Sequence, residues 1–135
     1  MNVLFVCVRN AGRSQIAEAL FVRAVRARHA ARSAGSAPAE HVHPEVVDAL
    51  AEVGLDVSDR VPRALDPADV EWADTVVTMG CGDACPVLPG TRYVDWDLPD
   101  PYGVPPAEVR AIRDEIEARV RALVDELDAP SSSGE

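Results

Sequence analysis

Residues 2–7 read NVLFVC, a run that is apolar at both odd and even positions and rich in β-branched side chains. A strand of that kind has no face left for water, so it belongs in a parallel sheet covered on both sides rather than in a half-exposed antiparallel one. Parallel strands need crossover connections, usually helices, and the rest of the chain supplies them. After the turn VRNAGR, the residues Ile16, Ala17, Leu20, Phe21, Ala24 and Val25 recur at helical spacing. ARSAGSAP reads as a short second strand ending in a turn near Gly35 and Pro38. HPEVVDALAEVGL reads as a helix, with Pro44 in its first turn and Gly54 past its last. DPADVEWA predicts another short helix, DTVVTM at 74–79 a strand, RYVDWDL a fourth strand, and 105–127 a long closing helix with Val109, Ile112, Ile116, Val120 and Leu123 on one face. Strands alternating with helices define an α/β fold whose ligand site lies beyond the carboxyl ends of the strands. The loops that start at Cys7, Cys81 and Asp100 all follow strands and are expected to meet there.

Composition narrows the function. The 135 residues fit one domain, expected over 1–128, with APSSSGE at 129–135 as a disordered tail. The 13 basic residues are all Arg, against 23 acidic ones, for a formal net charge of -10. That balance argues against broad affinity for nucleic acid or anionic membranes. Val3 to Val6 lacks the basic flank of a signal peptide and Arg9 interrupts it, and no stretch approaches the roughly 20 apolar residues of a membrane span. A soluble, cytoplasmic monomer is expected. Cys7, Cys81 and Cys85 make an odd set, which points to reactive thiols or metal ligands rather than a disulfide framework.

The first turn can do chemistry. Passing from a strand into a helix, it points successive backbone N–H groups into one concavity, and the helix N-terminus adds partial positive charge. Such a nest binds a tetrahedral oxyanion. Its amides come from Val8, Arg9, Asn10, Ala11, Gly12, Arg13 and Ser14, with Asn10 and Gly12 the types that tolerate left-handed backbone angles. Arg13 can clamp two oxygens with its planar fork. Cys7 shares the positive field, which favours the nucleophilic thiolate. A lone cysteine at a strand end is more often a small core residue. Asn, Gly, Arg and Ser in register with it reverse that weighting.

The stretch VCVRNAGRSQIAEALF resembles the C-x5-R-S loop of the low-molecular-weight protein tyrosine phosphatase fold, in particular its arsenate reductase branch. The resemblance continues through SAGS, HPEVVDALAEVGLDVS, DTVVTMGCGDACP and DWDLPDP, nearly the whole chain in order. It implies a three-layer sandwich with a four-stranded parallel sheet flanked by helices. It also implies Cys7 as nucleophile, Arg13 and the loop amides as oxyanion ligands, Ser14 bonded to the thiolate, and Asp100 as general acid. Arg9 departs from the pattern, which has Gly or His there; the added cation either tightens anion binding or points to solvent.

Two activities share this loop. A phosphatase needs the first cysteine, an acid and a water. An arsenate reductase also needs a sulfur to supply electrons, and Cys81 and Cys85 stand directly after the strand DTVVTM. At i, i+4 in a helical turn their Cβ atoms would be about 5–6 Å apart, close to disulfide range; in an extended loop they would be too far apart. The resemblance to the three-cysteine reductases implies a relay in which Cys81 attacks the arsenic-bearing Cys7, and Cys85 then closes an 81 to 85 disulfide for thioredoxin to reduce. The short spacing of the pair departs from the thioredoxin-coupled members and is similar to a branch in which mycothiol, with mycoredoxin, is the donor. Phosphate is the expected competing ligand, and no bound cofactor is expected.

Other possibilities stay open at this stage. Cys81 and Cys85 can be inert filler, or ligands of a metal with Asp83 and a histidine from HVH, although structural zinc motifs favour other spacings; no metal is expected. A low-molecular-weight tyrosine phosphatase is disfavoured because Tyr102 is followed by Gly103 rather than a second tyrosine. A non-catalytic oxyanion or arsenic sensor could use the same nest. Asp95 and Asp97 read as solvated or turn-capping residues, and Trp96 as core or pocket wall.

Overall fold

Strand β1 (Asn2–Cys7) is the centre of the architecture: it pairs in parallel with β2 (Ala30–Gly35) on one side and β3 (Thr75–Met79) on the other. Strand β4 (Arg92–Asp95) adds to β3, giving the order β2-β1-β3-β4, all parallel. The computed structural model describes residues 1–26, 28–80 and 89–129. Alternate residues of β1 feed two cores, as an apolar run on both faces requires. Val3, Phe5 and Cys7 join the larger core with α1 (Arg13–Val25), α2 (Pro44–Ala51) and α4 (Pro106–Asp128), while Leu4 and Val6 meet Val70 and Ala73, in and just past α3 (Pro67–Trp72). Phe5 meets Phe21 edge-on with ring centroids 5.4 Å apart, and burial of each such ring contributes about 1.5–3 kcal/mol. Helices thus cover both faces of the sheet, the expected three-layer sandwich.

Two boundaries differ from the sequence expectation for physical reasons. The helical ladder of α2 stops at Ala51, and the chain leaves it through a Schellman turn: Leu55 N–H donates to Leu50 C=O at 2.9 Å, Gly54 N–H donates to Ala51 C=O at 3.0 Å, and Gly54 takes φ +84°. β4 ends at Asp95, three residues short of the expected Leu98, after one further bond from Trp96 N–H to Thr78 C=O at 2.8 Å. Pro99 and Pro101 follow closely and cannot donate to a ladder. Trp96 belongs to the core, with its ring 6.0 Å from that of Phe5. Residues 130–135, read as a tail, lie outside the described residues, and none of the described helices is long and apolar enough to cross a membrane.

The strand order places a topological switch beside β1. The connection from β1 goes outward to β2, and the chain then crosses back over β1 to reach β3. In such sheets the crevice at the carboxyl ends of the two central strands is where ligands bind. Cys7 is the last residue of β1, in register with Gly35 of β2 and Met79 of β3.

Candidate active site

From Cys7 the chain turns through residues 8–12 into α1, whose N-cap is Gly12. Asn10 takes φ +52°, the left-handed region that Asn tolerates better than most residues, and it is fully buried. Its side chain organises the turn. Arg63 N–H donates to Asn10 Oδ1 at 3.0 Å, which fixes the amide so that Nδ2 donates to Ser14 Oγ at 2.8 Å. Ser14, already accepting there, has its hydroxyl proton free for Cys7 Sγ, 2.9 Å away. Asn10 N–H donates to the same sulfur at 3.3 Å. Two donors therefore converge on a thiol that is only 2% exposed, an arrangement that solvates a sulfur anion without bulk water. Ser14, a good first-turn residue by sequence, makes no helix cap; its hydroxyl serves the sulfur.

The neighbours press close because glycines make room. A Cβ on Gly35 would lie 2.6 Å from Val8 C=O and 2.9 Å from Asn10 N, so β2 abuts the turn as only a glycine allows. The turn is tied down further by Ala37 N–H donating to Val8 C=O at 2.8 Å and Ala39 N–H donating to Arg9 C=O at 2.9 Å. Arg13 Nη1 donates to Leu98 C=O at 3.1 Å, and a Cβ on Gly80 would meet Nη1 at 2.9 Å. The segments after β3 and β4 therefore both reach the arginine of the β1 loop. Asp100 belongs to the same assembly: Pro101 packs on Gly12, where a Cβ would lie 2.9 Å from Pro101 Cγ. Asp100 Oδ1 accepts from Tyr102 N–H at 3.0 Å.

Of the residues singled out by sequence, the structure gathers Cys7, the loop 8–14, Arg13 and Asp100 at one end of the sheet. Arg9 is exposed and its side chain has no partner among the described residues; it lines a cleft of about 460 Å³ with His41, His43, Asp100 and Tyr102. Asp95 accepts from Thr78 Oγ1 at 2.8 Å, and Asp97 is exposed. Cys81 and Cys85 lie outside the described residues, as does Asp83, and among the described residues no three His, Cys, Asp or Glu side chains form a metal-binding group.

Sequence reading missed the second ring of supports. Gln15 Nε2 donates to Asn10 C=O at 3.0 Å and to Asn10 Oδ1 at 3.3 Å. Arg63 is held by the buried carboxylate of Asp69, with Nη2 at 2.7 and 2.8 Å from its two oxygens. Burial alone would raise the Asp69 carboxyl; the bonds from Arg63, Asp66 N–H and Arg32 hold it below its ordinary value instead. A polar Gln15 on the buried side of α1 was the one local signal. Nothing near Arg63 in sequence announces a contact 53 residues away.

The chain matches the family of low molecular weight phosphotyrosine protein phosphatases over residues 2–133 and belongs to it. Within that class, an arsenate reductase of Brevibacillus brevis is 35% identical over 128 residues, covering 92% of this chain and 94% of that one. A thioredoxin-dependent arsenate reductase of Corynebacterium glutamicum superposes with a TM-score of 0.83 at 44% identity over 93% of this chain, which spans 60% of that protein's length. The low molecular weight protein tyrosine phosphatase of T. tengcongensis also gives 0.83, at 28% identity and with 93% and 99% of the two chains covered.

Proposed function

We propose that the chain is an arsenate reductase in which Cys7 attacks arsenate held by the loop amides of residues 8–14 and by Arg13, while Asp100 protonates the departing oxygen. An observation that supports a thiol relay is the packing of Gly80 on Arg13: the chain leaves β3 against the arginine of the β1 loop. Identity of 35% to 44% with proteins named arsenate reductases supports the same reading. Phosphate and arsenate have nearly the same shape and charge, so the nest binds both and selectivity comes from sulfur chemistry.

Reduction runs through thiols. Cys81 attacks Cys7 sulfur; the sulfur–arsenic bond breaks and its electron pair leaves with arsenic as arsenite. Cys85 then attacks Cys81 sulfur, returning Cys7 as thiolate and leaving an 81 to 85 disulfide that an external dithiol of the thioredoxin type reduces. Arsenite production assayed with thioredoxin, with mycothiol plus mycoredoxin, and with no donor tests the route. Turnover with thioredoxin that is lost in Cys81→Ser and Cys85→Ser is expected. Full thioredoxin-driven activity in Cys85→Ser contradicts the relay, and turnover confined to mycothiol reassigns the donor and makes Cys7 the one essential thiol. Hydrolysis of an aryl phosphate with no arsenite from any donor makes the chain a phosphatase instead.

A further inference from the structure

The Asp100 segment, residues 99–103, is exposed except at Pro101 and carries two prolines and a glycine, yet a general acid works only when its oxygen is within hydrogen-bond reach of the leaving group. Its placement comes from the start of α2. The His43 ring lies against the Tyr102 ring, with centroids 4.6 Å apart. Gly103, at φ +75°, turns its N–H to donate to Glu45 Oε2 at 3.1 Å. The same helix start is fixed to the nucleophile loop, because His43 N–H donates to Ala11 C=O at 2.9 Å and His43 Cδ2 lies 3.5 Å from where a Gly12 Cβ would be. Pro101 on Gly12 completes the contact.

We propose that His43 and Glu45 are positioning residues for the acid: a clasp at the N-terminus of α2 grips residues 102–103 from outside and fixes Asp100 relative to the Cys7 loop. Ala11 and Gly12 on one side, and Tyr102 and Gly103 on the other, are both referred to one rigid element, so the distance between nucleophile and acid is set by α2 rather than by the proline-broken segment itself. A side-chain change at His43 leaves its backbone bond to Ala11 in place, and the Glu45 carboxylate grips Gly103 without a bond to Ala11 or Gly12, so the pair of variants separates the grip on the acid from the anchoring of the nucleophile loop. The proposal rests on the site being a reductase with Asp100 as acid.

Steady-state arsenate turnover in His43→Ala, Glu45→Ala, Asp100→Asn and the two double variants with Asp100→Asn tests it. Loss of a positioned acid lowers kcat by about a hundredfold in Asp100→Asn, and loss of its positioning by about tenfold in either alanine variant. KM for arsenate stays within about twofold, since neither variant removes a backbone N–H of residues 8–14 or the Arg13 side chain. Each double variant is no slower than Asp100→Asn alone, a result a general structural defect would not give. His43→Phe, which keeps a ring against Tyr102, and Glu45→Gln, which keeps an acceptor for Gly103, both recover activity. Wild-type kcat in both alanine variants, or a further tenfold loss in the doubles, overturns the clasp. Wild-type kcat in Asp100→Asn overturns the acid assignment and the clasp with it, whereas absence of arsenate turnover in the unmodified protein overturns the reductase reading. In that last case the same variants are compared in aryl phosphate hydrolysis, where an unchanged kcat in the alanine variants again overturns the clasp.

Discussion

The two loops that meet at the carboxyl end of the sheet are built in opposite ways. Apart from Arg9, the Cys7 loop is largely buried, and it is held from within: Asn10 alone receives or gives bonds to Arg63, Ser14, Gln15 and the Cys7 sulfur. The Asp100 loop is exposed at every residue from 99 to 103 but Pro101, and it is held from outside, through Pro101 on Gly12, Tyr102 on His43 and Gly103 on Glu45. An oxyanion nest must keep its donors fixed before substrate arrives, because a donor that reorganises during reaction loses its advantage. An acid has only to reach one oxygen and can tolerate adjustment. With the roles proposed for the two loops, buried polar groups serve the first task and surface contacts the second.

Substitutions in the inner loop should therefore damage both chemistry and fold, and those in the outer loop chemistry alone. The largest effect is expected from Cys7→Ser, which removes the nucleophile and should bring arsenite production down to background. Arg13→Lys comes next. It keeps the charge but loses the planar fork, and kcat/KM for arsenate should fall by about a hundredfold. Asn10→Ala against Tyr102→Ala gives the sharpest contrast. The first puts a non-Asn, non-Gly residue at φ +52° and orphans buried partners, so thermal or denaturant unfolding should show a loss of about 2–4 kcal/mol. The second truncates a side chain that is 65% exposed and should shift stability by no more than about 0.5 kcal/mol. Equal destabilisation by the two would dissolve the comparison.

The smallest effect concerns pH. Asp69 has its folded-state pKa lowered, so its contribution to stability is complete above the unfolded value of 3.8 and is lost as pH falls through the depressed folded value. Denaturant midpoints measured from pH 6 down to 3 should therefore fall less steeply in Asp69→Asn than in the unmodified protein. Identical slopes would show that the Arg63 pair does not hold Asp69 ionised.

What sequence could show was whatever is encoded within a few residues. The doubly apolar β1 identified a parallel sheet, helical spacing supplied the crossovers, and the Cys7 to Ser14 spacing described a turn that the structure builds at a helix start, with Ser14 against the Cys7 sulfur. Pro44 marked the start of α2 and Gly54 the turn that follows it, although the helical ladder itself stops at Ala51, because a proline at N1 and a glycine in a Schellman turn are local devices. The supports of the nest were not legible. Gly35 serves it by lacking a side chain, and Arg63 by a backbone N–H that any residue but proline carries; neither leaves a mark in the sequence. The His43 to Tyr102 contact brings together rings 59 positions apart by number, and HVH read as a surface loop.

The central claim is that Cys7 directs electrons onto arsenate rather than water onto phosphate. Its most direct test is arsenite formed by the fully reduced protein and by Cys7→Ser, each with arsenate and the thioredoxin and mycothiol systems in turn. Arsenite from the unmodified protein with at least one donor, and none from Cys7→Ser, is the predicted result. No arsenite from the unmodified protein with either donor would contradict the claim.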